Sequence, residues 1–262
     1  MELPIYQIDA FTDRLFGGNP AAVVPLKSWL SDELLQNIAA ENNLSETAFY
    51  VPDHDKYFQI RWFTPKAEVD LCGHATLATA HVLFEHEKYD KKTILFMSKS
   101  GILKVEKMTD FYEMDFPADE IRPVKVPIEM YEAIGDKPLE TFRGKDICLF
   151  VFDTEDAVKN IQPDFRKLSR FEDIIGVIVT APGNETDFVS RCFFPRLGID
   201  EDPATGAAHT TLTPYWANRL KKNEMTALQI SPRIGRFRCK LLRDRVVLYG
   251  QALTYLKGKI RL

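Results

Sequence analysis

Residues 52–78, PDHDKYFQIRWFTPKAEVDLCGHATLA, are repeated at a gapless shift of 130 by residues 182–208, PGNETDFVSRCFFPRLGIDEDPATGAA. Seven of the 27 positions are identical: Pro52/Pro182, Phe58/Phe188, Arg61/Arg191, Phe63/Phe193, Pro65/Pro195, Asp70/Asp200 and Ala78/Ala208. Average residue usage gives roughly one or two matches by chance. Lys66/Arg196 and Val69/Ile199 are conservative besides. Each copy reads as a strand, a proline turn, an acidic loop and a helix of small residues. A period near 130 predicts two related domains rather than a solenoid.

The flanking sequence fills in the halves. Ile5 to Ala10 reads as a strand, and Phe16-Gly-Gly-Asn-Pro20 as a turn into a second strand, Ala21 to Val24. Ser31 is a good N-cap for a helix presenting Leu34, Leu35, Ile38 and Ala39 on one face, and Asn42-Asn43 closes it. Glu46 to Val51 and Tyr57 to Phe63 read as strands. Cys72 to Phe84 reads as one helix, small and apolar nearly all round, as in a helix buried within a sheet or barrel. Residues 117–127 hold three prolines and no period, which makes them the linker. The domains are therefore set at 1–120 and 121–262, with the final strand able to return to the first.

The 262 residues are 45% hydrophobic and 27% charged, an ordinary globular composition. The formal charge is −4 and there is no long basic run, so a nucleic-acid partner is not expected. No apolar stretch approaches the ~20 residues that cross a bilayer, and the first residues do not read as a signal peptide. No membrane partner is expected, and the location expected is cytoplasmic. Cys72, Cys148, Cys192 and Cys239 lack the clustering of a disulfide framework or a structural zinc site. His74 and His81 share a helical face at i, i+7, but no metal-ligand pattern accompanies them. No metal is expected. Phosphate-binding loops and the G-x-S-x-G elbow are also missing, so no cofactor is expected.

Two features could carry chemistry. Cys72-Gly73-His74-Ala75-Thr76 and Asp202-Pro203-Ala204-Thr205-Gly206 both read as helix starts, with Asp202 as N-cap and Pro203 at the first helical position. Small residues would leave free N–H groups at Gly73, His74 and Ala75, and at Thr205, Gly206 and Ala207, to hold an anion. A pseudo-twofold bringing the two starts together would create a cleft suited to a small carboxylate. Capping alone also explains Asp202-Pro203, and close packing alone explains the small residues. Glu46 opens an apolar strand on the face of Ala48 and Tyr50, while its counterpart at the shift is Gly176. Glu46 is thus a candidate general acid/base, or else a strand-edge glutamate facing water.

Five motifs in order along the chain resemble the phenazine-biosynthesis PhzF family of the diaminopimelate epimerase-like superfamily. They are Phe16-Gly-Gly-Asn-Pro-Ala-Ala-Val23, Leu44-Ser-Glu-Thr-Ala-Phe49, Asp70-Leu-Cys-Gly-His-Ala-Thr76, Asp187-Phe-Val-Ser-Arg191 and Asp200-Glu-Asp-Pro-Ala-Thr-Gly-Ala-Ala208 with His209. The resemblance implies an α+β fold of two lobes, each a curved, mostly antiparallel sheet around a central helix. It further implies an active site between the lobes, with Glu46 as catalytic acid/base beside His74 and Asp202, and a homodimer. Related epimerases use two thiols, one from each lobe. Here Cys72 stands at one helix start, but Asp202 holds the paired position and no cysteine is expected nearby. Ala207 stands where family members often carry Ser, which changes what the site offers a substrate.

The expectation is a cofactor-independent isomerase acting on a small carboxylate-bearing substrate. Glu46, His74 and Asp202 are its catalytic candidates; Asn19, Gly73, Ala75, Thr205, Gly206 and Ala207 are its anion-binding candidates. The alternatives are an amino-acid-type racemase or epimerase, and a non-catalytic ligand-binding protein.

Overall fold

The computed structural model describes residues 1–53 and 57–262. The chain divides into two compact units, Met1–Phe116 with Val247–Leu262, and Pro117–Val246.

The first unit contains β1 (Glu2–Ala10), β2 (Asn19–Pro25), α1 (Asp32–Asn42), β3 (Glu46–Pro52), β4 (Tyr57–Phe63), β5 (Glu68–Val69), α2 (Gly73–His81), β6 (Thr93–Ser98) and β7 (Gly101–Lys107). β8 (Tyr112–Pro117) ends at the boundary. The second contains β9 (Arg122–Pro123), α3 (Ile128–Ile134), β10 (Glu140–Arg143), β11 (Ile147–Val151), α4 (Glu155–Asn160), α5 (Phe165–Leu168), β12 (Gly176–Pro182), β13 (Phe188–Phe194), β14 (Ile199–Asp202), α6 (Gly206–Leu220), β15 (Glu224–Gln229) and β16 (Gly235–Leu242). The chain then returns through β17 (Arg245–Gly250) to β18 (Ala252–Arg261), which pairs antiparallel with β1.

The repeat in the sequence is a repeat in the ladders. In the first unit β2 pairs parallel with β3, β3 antiparallel with β4, β4 parallel with β6, and β6 antiparallel with β7. In the second, β11 pairs parallel with β12, β12 antiparallel with β13, β13 parallel with β15, and β15 antiparallel with β16. Every pair from Thr47↔Phe63 to Pro52↔Phe58 recurs 130 residues later, from Val177↔Phe193 to Pro182↔Phe188. Parallel pairing covers a strand on both faces, which is why β3 and β12 bury every residue but their terminal proline.

The shared arginine of the repeat has a shared task. Arg61 Nε donates to Glu68 at 2.7 Å and its guanidinium lies 5.1 Å from the Phe63 ring centre. Arg191 Nε donates to Glu201 at 2.8 Å and lies 5.1 Å from the Phe193 ring centre. Each pins the short strand after the proline turn to the strand before it, and so fixes where the following helix starts.

Both helix starts differ in detail from expectation. α2 begins at Gly73 and all nine of its residues are buried, but it stops at His81, and Val82–His86 continues as a π-helical turn. α6 begins at Gly206 with Thr205 as N-cap, so Asp202 is not the cap and Pro203 is not the first helical residue. Strand pairing overrides the local proline signal: Asp202 ends β14, opposite Cys192 of β13. The proline-rich 117–127 segment is not a free linker either. Arg122 and Pro123 pair with Arg143 and Phe142, and Val124 donates to the Thr141 carbonyl. α1 follows its sequence signals: Ser31 accepts from Leu34 N–H, and Asn43 ends the helix at φ +48°.

Candidate active site

In the first unit, one turn and two elements bring four side chains together. The turn after β1 is built on Gly18 at φ +60°, where a Cβ would lie 2.0 Å from the Ala10 carbonyl oxygen, so only glycine fits. Asp9 accepts from the Phe16 N–H and ties the turn down. That geometry delivers Asn19, fully buried, to the start of β2. Parallel pairing of Ala21 with Glu46 sets Glu46 two residues along the neighbouring strand. α2, packed on β1, β2 and β3, supplies His74 from its first turn and Cys72 from its N-cap.

The contacts are close. Asn19 Nδ2 lies 3.1 Å from His74 Nδ1, and His74 Nε2 lies 3.0 Å from Glu46 Oε2. Cys72 Sγ is 3.5 Å from Nδ1 and 3.9 Å from Nε2 of the same ring. With the Asn19 amide donating to Nδ1, the ring proton sits on Nε2 and faces Glu46. The approach is a charge contact whose alignment falls short of a hydrogen bond, and among the described residues no aligned hydrogen bond reaches the buried Glu46 Oε2. Glu46 is therefore not a strand-edge residue facing water: it is 9% exposed, on a strand paired on both sides.

Electrostatics divide the cluster. Burial works against a charged His74, while the Cys72 sulfur, once ionised, and the Glu46 carboxylate work for it and raise the imidazole above its usual range. Burial, reinforced by Glu46, pushes the Cys72 thiol up to about 11, so near neutrality it is a thiol and not a nucleophilic thiolate. His81, two turns further along α2, belongs to a separate cluster: Nδ1 is 3.0 Å from Tyr112 Oη and Nε2 is 3.0 Å from Thr254 Oγ1.

In the second unit, the other candidates gather around Gln229, a residue no motif singles out. Gln229 Oε1 accepts from Thr205 N–H at 2.8 Å, while its amide donates to the Asp202 carbonyl at 2.6 Å and to Thr205 Oγ1 at 3.1 Å. Thr205 Oγ1 donates in turn to the Asp202 carboxylate. The Thr205 N–H expected to be free is thus spent inside the protein. The first turn proper begins with Gly206, buried, and Ala207, exposed. Cys192, ten residues before Asp202, also stands at this helix start, opposite Asp202 in the β13–β14 ladder. It is wholly buried, and burial pushes its thiol well above the ordinary value, so it is a poor proton carrier.

Paired mixed ladders around buried helices place the chain in the α+β class of epimerase-like folds. The chain belongs to the phenazine biosynthesis-like family, whose model PhzC-PhzF matches residues 8–258. An uncharacterized isomerase of Pseudomonas aeruginosa is 48% identical, with all of both chains covered. Phenazine biosynthesis-like domain-containing protein 2 of Mus musculus is 40% identical over 99% of each chain. Among solved structures, a PhzF family protein of Enterococcus faecalis superposes with TM-score 0.96 at 46% identity, covering 100% of each chain. A hydroxyproline epimerase of Agrobacterium vitis with bound trans-4-hydroxy-L-proline shares the fold at TM-score 0.65 and 10% identity, over 99% of this chain and 92% of the other. The protein is by class an isomerase. Among the described residues, no helix is long and apolar enough to cross a membrane.

Proposed function

We propose that the protein is a cofactor-independent isomerase that moves a proton on a small carboxylate-bearing substrate, with Glu46 as general acid/base. The observation that carries this reading is the buried Glu46 carboxylate, held 3.0 Å from His74 Nε2 with no aligned hydrogen bond to Oε2 among the described residues. An oxygen with an unspent lone pair in a protected site is a proton acceptor in waiting. His74, kept readily protonated by its neighbours, steadies the carboxylate and returns or relays the proton. Asn19 fixes the ring by its contact at Nδ1. Gln229 and Asp202 shape the α6 start in the second unit.

A single-carboxylate shift fits better than two-thiol epimerisation. Cys72 is protonated at neutral pH, and Cys192 is sealed from any substrate. A mere binding protein has no use for a buried acid beside a protonatable imidazole.

The test is solvent-deuterium incorporation into small carboxylic acids bearing an acidic C–H bond, read by mass spectrometry. Glu46→Gln keeps the shape and is expected to lower incorporation by about 10²–10⁴, or roughly 3–5.5 kcal/mol of barrier, with an unaltered fold. Undiminished incorporation by Glu46→Gln would remove Glu46 from the chemistry.

A further inference from the structure

Glu46, Cys72 and His74 offer one carboxylate oxygen, one sulfur and one imidazole nitrogen, all within 4.8 Å of one another and all buried. No ligand-spacing rule reveals the set. Cys72 and His74 are two apart across a helix start, and Glu46 comes from a strand 26 residues earlier. We propose that these three side chains form an inhibitory site for a thiophilic divalent cation, zinc or cadmium, which occupies the space where Glu46 would exchange its proton. The blockade rests on the proposed function above; the binding does not.

The geometry is near what zinc requires. Zinc takes sulfur at about 2.3 Å and nitrogen or oxygen at about 2.0–2.2 Å, so tetrahedral donors stand roughly 3.3–3.6 Å apart. Here His74 Nε2 and Glu46 Oε2 are 3.0 Å apart, and His74 Nε2 and Cys72 Sγ 3.9 Å. The Glu46 oxygen and the Cys72 sulfur lie within 4.8 Å, and side-chain torsions draw the three donors to the tetrahedral spacings on binding. Nε2 is the nitrogen beside the carboxylate, whereas Sγ lies 3.5 Å from Nδ1 and 3.9 Å from Nε2, so the ring turns to bring Nε2 to the sulfur on binding.

Charge and outer contacts fit as well. A carboxylate and a thiolate cancel the dication, so the buried complex carries no net charge beside a neutral imidazole. On binding, the Cys72 S–H bond breaks, a sulfur–metal bond forms, and the proton leaves to solvent. His74 gives up its Nε2 proton to make the metal bond and takes one up on Nδ1, against Asn19, so one proton, that of the thiol, is released in all. A carboxamide meets that demand by turning over, presenting oxygen where nitrogen stood. Asn19 becomes the outer partner that metal-bound histidines require. Three protein donors leave a fourth position for water or an anion, unlike a closed structural site.

Cobalt(II) substitutes for zinc as a coloured probe. Titration of the full-length protein with cobalt(II) should raise a near-ultraviolet sulfur-to-cobalt charge-transfer band, which an equivalent of zinc then bleaches. Cys72→Ala should abolish the band, whereas Cys239→Ala, at a buried thiol outside the cluster, should retain it. Asn19→Ala should keep the band and weaken affinity about 10–100-fold. Native circular dichroism of each variant separates lost binding from lost folding. No thiolate band in the wild type, or a band that survives Cys72→Ala, overturns the site. A bound metal that leaves deuterium incorporation unchanged overturns the blockade. Loss of incorporation in Glu46→Gln without any metal band would leave the acid/base reading standing and remove only the metal site.

Discussion

The two units share a ladder and differ in what they hang on it. Thr47 to Pro52 and Val177 to Pro182 pair with their neighbours in the same register, and Arg61 and Arg191 grip an acid and a phenylalanine in the same way. At the positions of interest the copies part. Glu46 corresponds to Gly176, Cys72 to Asp202, and His74 to Ala204. Gly176 has no room for a side chain, since a Cβ there would lie 2.3 Å from the Phe194 ring and 2.4 Å from the Phe193 carbonyl oxygen. The duplicated scaffold is thus indifferent to chemistry, and the candidate acid/base cluster is what one copy has and the other has filled with packing.

The arginine grip offers the largest test of that likeness. Arg191 is nearly buried, holds Glu201 through two nitrogens, and donates to the carbonyls of Val158, Lys159 and Ile161 at the end of α4. Arg61 is more exposed, and its second acid, Asp32, is largely in solvent. Arg191→Met should therefore cost about 3–5 kcal/mol in urea unfolding, because it strands a half-buried carboxylate and three backbone carbonyls. Arg61→Met should cost about 1 kcal/mol. Equal losses would mean that the two grips are equivalent and that burial does not set their worth.

A smaller effect sharpens the contrast at the first strand position. Gly176→Ala pushes a methyl group into Phe194 and backbone, and about 1–3 kcal/mol of stability should be lost. A neutral outcome would show that the second unit also has space for a side chain where the first holds Glu46.

The smallest expected effect concerns protons. His81 in the first unit and His209 in the second are both held down to about 4, chiefly by burial. His209 stacks on Phe237 at 3.6 Å between ring centres, with Nδ1 donating to the Thr205 carbonyl. Both histidines fold neutral, so their contribution is complete above the unfolded value of about 6.5 and is lost as pH falls from there toward 4. His74 runs the other way: its raised value favours the folded state in acid, and that share fades as pH rises through the folded value. Between pH 7 and pH 5 the wild type should lose stability by on the order of 1–2 kcal/mol more than His209→Asn or His81→Asn, measured by urea midpoints. If only one variant flattens the acid limb, the two buried histidines are not equivalent.

Much of this was legible in the chain. Ser31 and Asn43 announced the ends of α1 because capping is a local bargain between a side chain and the nearest backbone groups. The repeat announced the paired ladders, since a shared strand-turn-strand pattern imposes a shared register. Asp202-Pro203 misled for the converse reason: its local preference for a helix start yields to the β13–β14 pairing and to Gln229, 24 residues beyond Thr205, which holds the Thr205 N–H. Cys192 was likewise invisible as a neighbour of Asp202, because antiparallel pairing joins residues ten apart.

The sequence by itself determined the family, the duplication, the buried small-residue helix and the candidacy of Glu46, all of which rest on residue order and local pattern. The tertiary structure alone decided that Glu46, Cys72, His74 and Asn19 share one buried cluster, that Oε2 lies 3.0 Å from His74 Nε2, and that α6 starts at Gly206. Those facts depend on which strands lie side by side and how a helix packs across them, and no spacing along the chain encodes a distance across a sheet.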